Sequence, residues 1–248
     1  MILKSKDVKE GELPINRIVL GDASYVLKRF PDRSIDVVFT DPPYFESAKH
    51  GVGVYESYQR VLPELSRVMK EDAWLFVYLP SNRLDVFLKD TIKFFEYVDR
   101  FVVEFVNTKT KGAFGDKRTL ELCVFRKGKP KVFERLYGDV LVGIEDPLIV
   151  TMHPKNPMWK PTLPTALILR KVVGASRDKV LLDPFMGCGS IVLVAKHLGM
   201  KWIGIEINLD FAKKAERILK GEEPRDVIGK GKSSNRNKQS LLTLGRLF

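Results

Sequence analysis

Residues 34–44 read Ser-Ile-Asp-Val-Val-Phe-Thr-Asp-Pro-Pro-Tyr, and this stretch decides the fold. Residues 35–39 are mostly β-branched or aromatic, a composition typical of a strand that is buried on both faces. Strands of this kind belong to parallel sheets, and ligands bind beyond their carboxyl ends. The two prolines after Asp41 fix φ and remove two N–H donors, so the sequence predicts a stiff loop with free carbonyls there.

Asp41, Pro42, Pro43 and Tyr44 together offer acceptor oxygens and an aromatic plane, which suits a flat heterocycle that carries an amino group. The exocyclic amine of cytosine or adenine is a poor nucleophile, because its lone pair is delocalised into the ring. If the Asp41 carboxylate and the Pro42 carbonyl each accept one N–H, the lone pair localises and can attack a methyl sulfonium. Tyr44 would stack on the base. The alternative is that Asp-Pro-Pro merely ends a strand, and the motif alone does not decide.

The composition of the 248 residues, 44% hydrophobic and 29% charged, is globular. A net charge of +11 and a pI near 9.5 favour a polyanionic partner, nucleic acid before membrane, with a solvated lysine-rich surface as the alternative. Cys123 and Cys188 are far apart and lack metal-ligand company, so we expect a reducing, cytoplasmic setting and no metal site. Scarce glutamine beside abundant Lys, Arg and Glu is typical of a thermophilic source.

Predicted strands and helices alternate along the chain, which indicates an α/β fold around a largely parallel sheet. We expect residues 1–14 to be a polar lead-in to a first strand at residues 16–20, and residues 107–119 to form a basic loop that contains glycine. Residues 129–152 are expected to be irregular, although residues 140–144 could pair as a strand. One domain is predicted over residues 1–220. Residues 221–248 are polar and cationic, and we expect a mobile basic tail.

A second motif, residues 180–190, has the sequence Val-Leu-Leu-Asp-Pro-Phe-Met-Gly-Cys-Gly-Ser. It predicts a strand, a glycine loop and a helix. Its glycine spacing differs from the GxGxxG dinucleotide fingerprint, so NAD is not indicated. The next predicted strand ends at Glu206, about 20 residues after the loop, where an acid binds the ribose hydroxyls of a nucleoside. The two constellations together favour a nucleoside cofactor beside an amine-bearing base.

These motifs resemble the amino-group methyltransferases of the DNA N4-cytosine/N6-adenine type, in their permuted order with the catalytic motif first, over residues 14–220. The resemblance implies a Rossmann-like fold with a seven-stranded, mostly parallel sheet that contains one antiparallel strand, and S-adenosylmethionine as the cofactor. It implies that the Asp41–Tyr44 motif is catalytic. It also implies cofactor contacts in the glycine loop, at the acid and after the first strand, at Gly21, Asp22, Asp183, Pro184, Phe185, Gly187, Gly189, Ser190 and Glu206. The region of His153-Pro154 and Lys160-Pro161 resembles a further cofactor-side motif of the family, with stretched spacing.

Substrate contacts are expected from aromatic and basic residues outside these motifs. An aromatic residue after the catalytic motif would line the target pocket, the basic loop would contact phosphates, and a tryptophan would stack on a base. The alternatives are core packing and simple solvation. The predicted substrate-binding residues are Phe45, Lys109, Lys111, Phe114, Arg118 and Trp159.

Only 24 residues, 129–152, stand where sequence-reading members of the resembled family carry a target-recognition segment. Direct readout needs an element that fills a groove, whereas a structured RNA is recognised by shape and offers unpaired bases. The sequence therefore favours structured RNA, such as ribosomal RNA, as the substrate, with an orphan DNA methyltransferase as the close alternative. Within the resembled DNA family, an Asp at the first motif position points more to adenine than to cytosine. A non-catalytic nucleic-acid-binding module and a protein-amine methyltransferase are the further alternatives.

Overall fold

The computed structural model describes residues 1–43, 54–105, 110–112, 115–117, 119–136, 140–143, 160, 162–223 and 227. Within these residues, helices cover both faces of one large sheet. Each face carries its own cluster of buried apolar side chains, so the core consists of two layers, one on either side of the sheet. No helix in this part of the chain is long and apolar enough to cross a membrane.

Eleven strands are described. They are β1 Ile2–Lys4, β2 Arg17–Leu20, β3 Ile35–Thr40, β4 Met69–Leu79, β5 Glu96–Phe105, β6 Thr110–Gly112, β7 Gly115–Lys117, β8 Thr119–Lys127, β9 Val140–Gly143, β10 Val180–Asp183 and β11 Lys201–Glu206. The helices are α1 Ala23–Val26, α2 Val54–Val68, α3 Leu84–Thr91, α4 Thr162–Leu167, α5 Ser190–His197 and α6 Leu209–Leu219. A π-helical segment, Ile168–Val173, continues α4. Strands β6 and β7 form a separate hairpin.

The large sheet has the strand order β1-β2-β11-β10-β3-β4-β8-β5-β9. All neighbouring strands run parallel except β8, which is antiparallel to both β4 and β5. From β3 the chain crosses to β4 on one side, whereas from β10 it crosses to β11 on the other. The crossovers of β3 and β10 therefore diverge, and this topological switch opens a cleft at their carboxyl ends.

The burial of strand β3 shows why residues 34–44 organise the fold. Its Val37 and Phe39 lie in the apolar cluster that also contains α5 and α6 residues, while Val38 lies in the cluster under α2. All three side chains have no exposed surface. The Phe39 ring packs against Phe76, with ring centroids 5.3 Å apart. The predicted strand buried on both faces is confirmed.

The predicted α/β class with one reversed strand is confirmed, but the predicted number of seven strands is wrong, because the described sheet contains nine. Both additional strands lie at its edges. Strand β1 falls in the predicted polar lead-in and pairs in parallel with β2, Ile2 opposite Ile18. Strand β9 pairs in parallel with β5. These strands are three and four residues long, too short to show a hydrophobic period. The β6–β7 hairpin likewise lies within the predicted loop 107–119.

The basic tail, residues 221–248, falls almost entirely outside the described residues. Its predicted mobility and the predicted domain boundary at residue 220 stay predictions.

We expect Phe76→Ala to lower the free energy of unfolding by about 3–5 kcal/mol, because the fully buried Phe76 ring packs between Phe39 and Trp74 and a cavity would remain. The matched control is Phe94→Ala, whose ring is 38% exposed, and which should cost about 1 kcal/mol or less. Urea denaturation of both variants measures the difference. Equal losses would contradict the assignment of Phe76 to the core.

Candidate active site

Both sequence motifs lie at one edge of the sheet, at the carboxyl ends of the four adjacent strands β2, β11, β10 and β3. Gly21 and Asp22 follow β2, Glu206 ends β11, Asp183 ends β10, and Asp41 follows β3. The predicted catalytic and cofactor-side acids are therefore neighbours at the switch point, although they lie far apart in the chain. This is the position where open α/β sheets bind ligands.

Asp183 joins the two central strands at this edge. Its Oδ1 accepts a hydrogen bond from Thr40 Oγ1 at 2.8 Å and one from the main-chain N–H of Phe185 at 3.1 Å. Burial raises the pKa of Asp183 to about 8, with smaller increases from Asp41 and Glu206, while the Thr40 and Phe185 hydrogen bonds lower it. At neutral pH the carboxyl is therefore held largely in its protonated form, and it fixes the start of the glycine loop against β3.

The glycine loop packs directly onto β11. The main-chain N–H of Met186 donates to the Ile205 carbonyl at 3.0 Å. A Cβ at Gly204 would lie 2.2 Å from Met186 Sδ, so a larger residue there would require the Met186 side chain to move. Gly187 and Gly189 adopt φ of +53° and +86°, in the left-handed region that favours glycine. The loop thus turns sharply into α5, as predicted.

Glu206 is a buried acid that main-chain donors hold in place. Its Oε2 accepts from the N–H of Gly187 at 2.8 Å, and its Oε1 accepts from the N–H of Asn208 at 2.7 Å. Burial raises its pKa, and the main-chain hydrogen bonds oppose that rise. The carboxylate therefore has a fixed orientation beside the glycine loop, and its two oxygens retain acceptor capacity for a ligand hydroxyl beyond these main-chain hydrogen bonds.

The turn after β2 lies next to this acid. The main-chain N–H of Gly21 donates to the Glu206 carbonyl at 2.9 Å. Asp22 is the N-cap of α1, because its Oδ1 accepts from the Ser24 N–H at 2.8 Å and from Ser24 Oγ at 2.7 Å. The predicted cofactor-side residues after β2 are thus rigidly placed beside Glu206.

Asp41 has one paired and one unpaired carboxylate oxygen. Its Oδ2 lies 2.7 Å from Lys160 Nζ, whereas its buried Oδ1 has no hydrogen-bond partner within the described part of the chain. Burial raises the pKa of Asp41 to about 6, although the Lys160 ammonium lowers it. A buried acceptor without a donor costs free energy. The geometry therefore leaves Oδ1 ready to accept a hydrogen bond from a ligand.

Lys160 is a site residue that the sequence did not assign. Its ammonium pairs with Asp41, and its main-chain N–H donates to Ser190 Oγ at 3.1 Å, at the first residue of α5. In the sequence, Lys160 was only part of the motif region with stretched spacing, placed on the cofactor side. The sequence shows a lysine before a proline and a predicted helix, which could have marked Lys160 as a site residue. A local motif does not indicate which distant residue such a lysine pairs with.

The remaining predicted residues divide into placed and undescribed ones. Pro184 is buried and Phe185 is half-buried against the core under α2. Pro42 is buried, whereas Pro43 is exposed. The main chain of Lys111 lies in β6. Outside the described residues lie Tyr44, which the sequence predicted to be catalytic, and the predicted substrate-binding residues Phe45, Lys109, Phe114, Arg118 and Trp159. In the described ranges, no group of three or more His, Cys, Asp or Glu side chains could hold a metal ion.

We expect the free energy of unfolding to fall as pH rises between the pKa values of the unfolded and the folded Asp183 carboxyl. The unfolded carboxyl loses its proton near 3.8 and the folded one near 8, so the folded state binds the extra proton between these values. Asp183→Asn keeps an acceptor for Thr40 and Phe185 but removes the titration. Wild type should therefore lose more unfolding free energy between pH 5 and pH 8 than Asp183→Asn, by on the order of 4 kcal/mol in urea melts. Equal losses would show that Asp183 does not titrate in this range.

Comparison with known proteins agrees with this geometry. Residues 35–217 match the family of N6/N4 type described as DNA methylase. The DNA adenine methyltransferase YhdJ of Escherichia coli (strain K12) is 25% identical over 270 aligned residues, which cover 91% of this chain and 92% of YhdJ.

Two solved structures share the fold. The M1.HpyAVI-SAM complex has a TM-score of 0.64 at 19% identity, covering 82% of this chain and 98% of that one. The cytosine-N4-specific PvuII DNA methyltransferase has a TM-score of 0.66 at 16% identity, with 92% and 90% covered. Because the family match spans most of the sequence, the chain belongs to the N6/N4 DNA methylase family.

Proposed function

We propose that this protein transfers a methyl group from S-adenosylmethionine to the exocyclic amine of a DNA base, adenine N6 or cytosine N4. The observation that carries the proposal is Asp41 Oδ1, a buried acceptor without a donor among the described residues, at the carboxyl end of β3. An amine N–H of an extrahelical base would supply the missing donor. Membership of the DNA methylase family supports the reaction class.

DNA is preferred to RNA as the substrate because of the relatives. YhdJ is named a DNA adenine methyltransferase, and the PvuII protein a cytosine-N4-specific DNA methyltransferase. The preference for ribosomal RNA rested on the short segment 129–152 and finds no support among these proteins, so the DNA alternative replaces it. The protein-amine alternative and the non-catalytic module have no observation in their favour.

Part of the segment 129–152 is tied by hydrogen bonds to the body of the fold. The main-chain N–H of Phe133 donates to the Val172 carbonyl at 3.0 Å, and that of Glu134 to the Lys171 carbonyl at 2.6 Å. The Trp74 indole donates to the Lys131 carbonyl at 3.4 Å. These contacts hold residues 131–134 against the π-helical segment after α4. DNA contacts are therefore proposed to come from elsewhere, with the predicted basic residues at Lys109, Lys111 and Arg118 as candidates.

The described residues fit S-adenosylmethionine. Glu206 is a fixed, buried carboxylate with lone pairs to spare for ribose hydroxyls, and the close-packed glycine loop beside it admits a ligand against its backbone. Gly21 and Asp22 would border the adenine. When bound, the cofactor supplies an electrophilic methyl group on a sulfonium sulfur, and the sulfur leaves as a neutral thioether with the electron pair of the broken bond.

The residues of this chain prepare the amine. Asp41 Oδ1 accepts one N–H of the base and the Pro42 carbonyl accepts the other, so the nitrogen lone pair is directed out of the ring system. Lys160 holds the other oxygen of Asp41 in place. The proton that the amine loses when its new N–C bond forms passes to Asp41 Oδ1. Orientation and electrostatic stabilisation supply the rate.

Asp41→Ala should lower kcat by at least about 100-fold, because the variant has no acceptor for the amine. The affinity for S-adenosylhomocysteine should stay within about twofold of wild type, since Glu206 and the glycine loop are unchanged. Transfer of labelled methyl groups and isothermal titration calorimetry measure the two effects, and thermal melting checks folding. Equal loss of binding and turnover would contradict the assigned role.

Purified protein should methylate DNA in preference to RNA. We would incubate it with isotopically labelled S-adenosylmethionine and either DNA that lacks amino methylation or total ribosomal RNA, and then analyse nucleosides by mass spectrometry. N6-methyldeoxyadenosine or N4-methyldeoxycytidine is expected, and the Asp41→Ala protein serves as the negative control. Labelled product confined to RNA would overturn the DNA proposal and restore the RNA hypothesis.

A further inference from the structure

Lys160 connects the two halves of the site. Its Nζ lies 2.7 Å from Asp41 Oδ2 on the base side, and its main-chain N–H donates to Ser190 Oγ at 3.1 Å on the cofactor side. The residue is only 9% exposed, which is rare for lysine. Burying an ammonium costs several kcal/mol unless a partner compensates, so such a residue needs a reason to be inside.

The reason lies in what Asp41 has to do. A base amine donates N–H, so it needs an ionised, acceptor-only carboxylate as its partner. A buried carboxyl without a counter-ion takes up a proton and then presents an O–H donor, which has the wrong polarity for an amine. An ammonium on Oδ2 removes this problem. It also fixes the rotation of the carboxylate, so that Oδ1 keeps one orientation.

We propose that Lys160 is a positioning residue for methyl transfer, which holds Asp41 by Oδ2 so that ionised Oδ1 receives the base amine. This inference rests on the proposed function. It assigns the side chain of Lys160 to the catalytic acid, whereas the sequence motif placed this region on the cofactor side. Its main chain remains tied to the first residue of α5, so the orientation of Asp41 is coupled to the end of the glycine loop.

Titratable groups approach Asp41 from two directions in the described part of the chain. Lys160 comes from the segment before α4, and Asp183 ends the neighbouring strand β10 and interacts electrostatically with Asp41. Because burial keeps Asp183 largely protonated at neutral pH, this acid offsets little of the Lys160 charge. Within the described residues, Lys160 is the cation in contact with Asp41, and it opposes the effect of burial on the pKa of that carboxyl.

Lys160→Met removes the charge at similar volume, and Lys160→Arg retains it. We expect the acid limb of the kcat–pH profile to move upward by about 1 to 3 pH units in Lys160→Met, because Asp41 without its cation holds its proton to higher pH. Lys160→Arg should keep the limb near its wild-type position. The matched control is Lys171→Met, a half-exposed lysine in a surface ion pair with Glu134, which should leave the profile unchanged.

The affinity for S-adenosylhomocysteine is measured on the same proteins by calorimetry. It should change less than about twofold in Lys160→Met, because the main-chain bond to Ser190 survives the substitution. A large loss of affinity with an unmoved acid limb would overturn the proposal and assign the Lys160 side chain to the cofactor. Lower kcat at every pH with an unmoved limb would also overturn it, because the residue would then be merely structural.

A readout that does not need turnover separates this inference from the proposed function. Carbon-13 NMR of labelled aspartate carboxyls, with the Asp41 signal assigned by its absence in Asp41→Asn, follows the titration of Asp41 directly. Its midpoint should lie near 6 in wild type and higher in Lys160→Met, but not in Lys160→Arg. If wild type methylates neither DNA nor RNA, the proposed function fails while this titration still decides the role of Lys160. An unchanged Asp41 midpoint in Lys160→Met would refute it.

Discussion

The hydrogen bond between Thr40 and Asp183 lies at the point on which the rest of the structure depends, the parallel pairing of β3 with β10. Both strands are buried on both faces, so neither can shift without exposing apolar side chains to water. The chain leaves these strands in opposite directions, and a cleft is the unavoidable result. This junction positions Asp41 and Asp183, the adjacent strand β11 positions Glu206, and β2 beyond it positions Asp22.

Three carboxyl groups are crowded at this edge, and the protein supports each with a different kind of partner. Main-chain N–H groups hold Glu206, which gives it a rigid orientation suited to hydroxyl ligands. A threonine hydroxyl and one N–H hold Asp183, which tolerates a proton and serves as a structural link. An ammonium holds Asp41, which favours the charged, acceptor form. The same residue type thus acquires different chemistry from its neighbours, as burial alone would raise the pKa of all three.

The length of one segment is weak evidence about the substrate. A segment of 24 residues was judged too short to read DNA, yet the family and the named relatives are DNA methylases. Main-chain hydrogen bonds tie residues 133 and 134 of that segment to the π-helical continuation of α4, and β9 pairs with β5. The number of residues between motifs therefore included stretches that are tied to the fold, and it carried little information about which surface meets nucleic acid.

The sequence by itself determined the buried strand at residues 35–39, the glycine loop after β10, the acid at the end of β11 and the family. Local patterns encode each of these, through hydrophobic runs, turn residues and motif spacing. Only the tertiary structure decided that the edge strand β1 joins the sheet, because three residues carry no period. It alone also decided that Asp41 pairs with Lys160 and that Asp183 binds Thr40. Such contacts join residues more than a hundred positions apart. They depend on the spatial order of the strands in the sheet, and no local sequence pattern encodes that order.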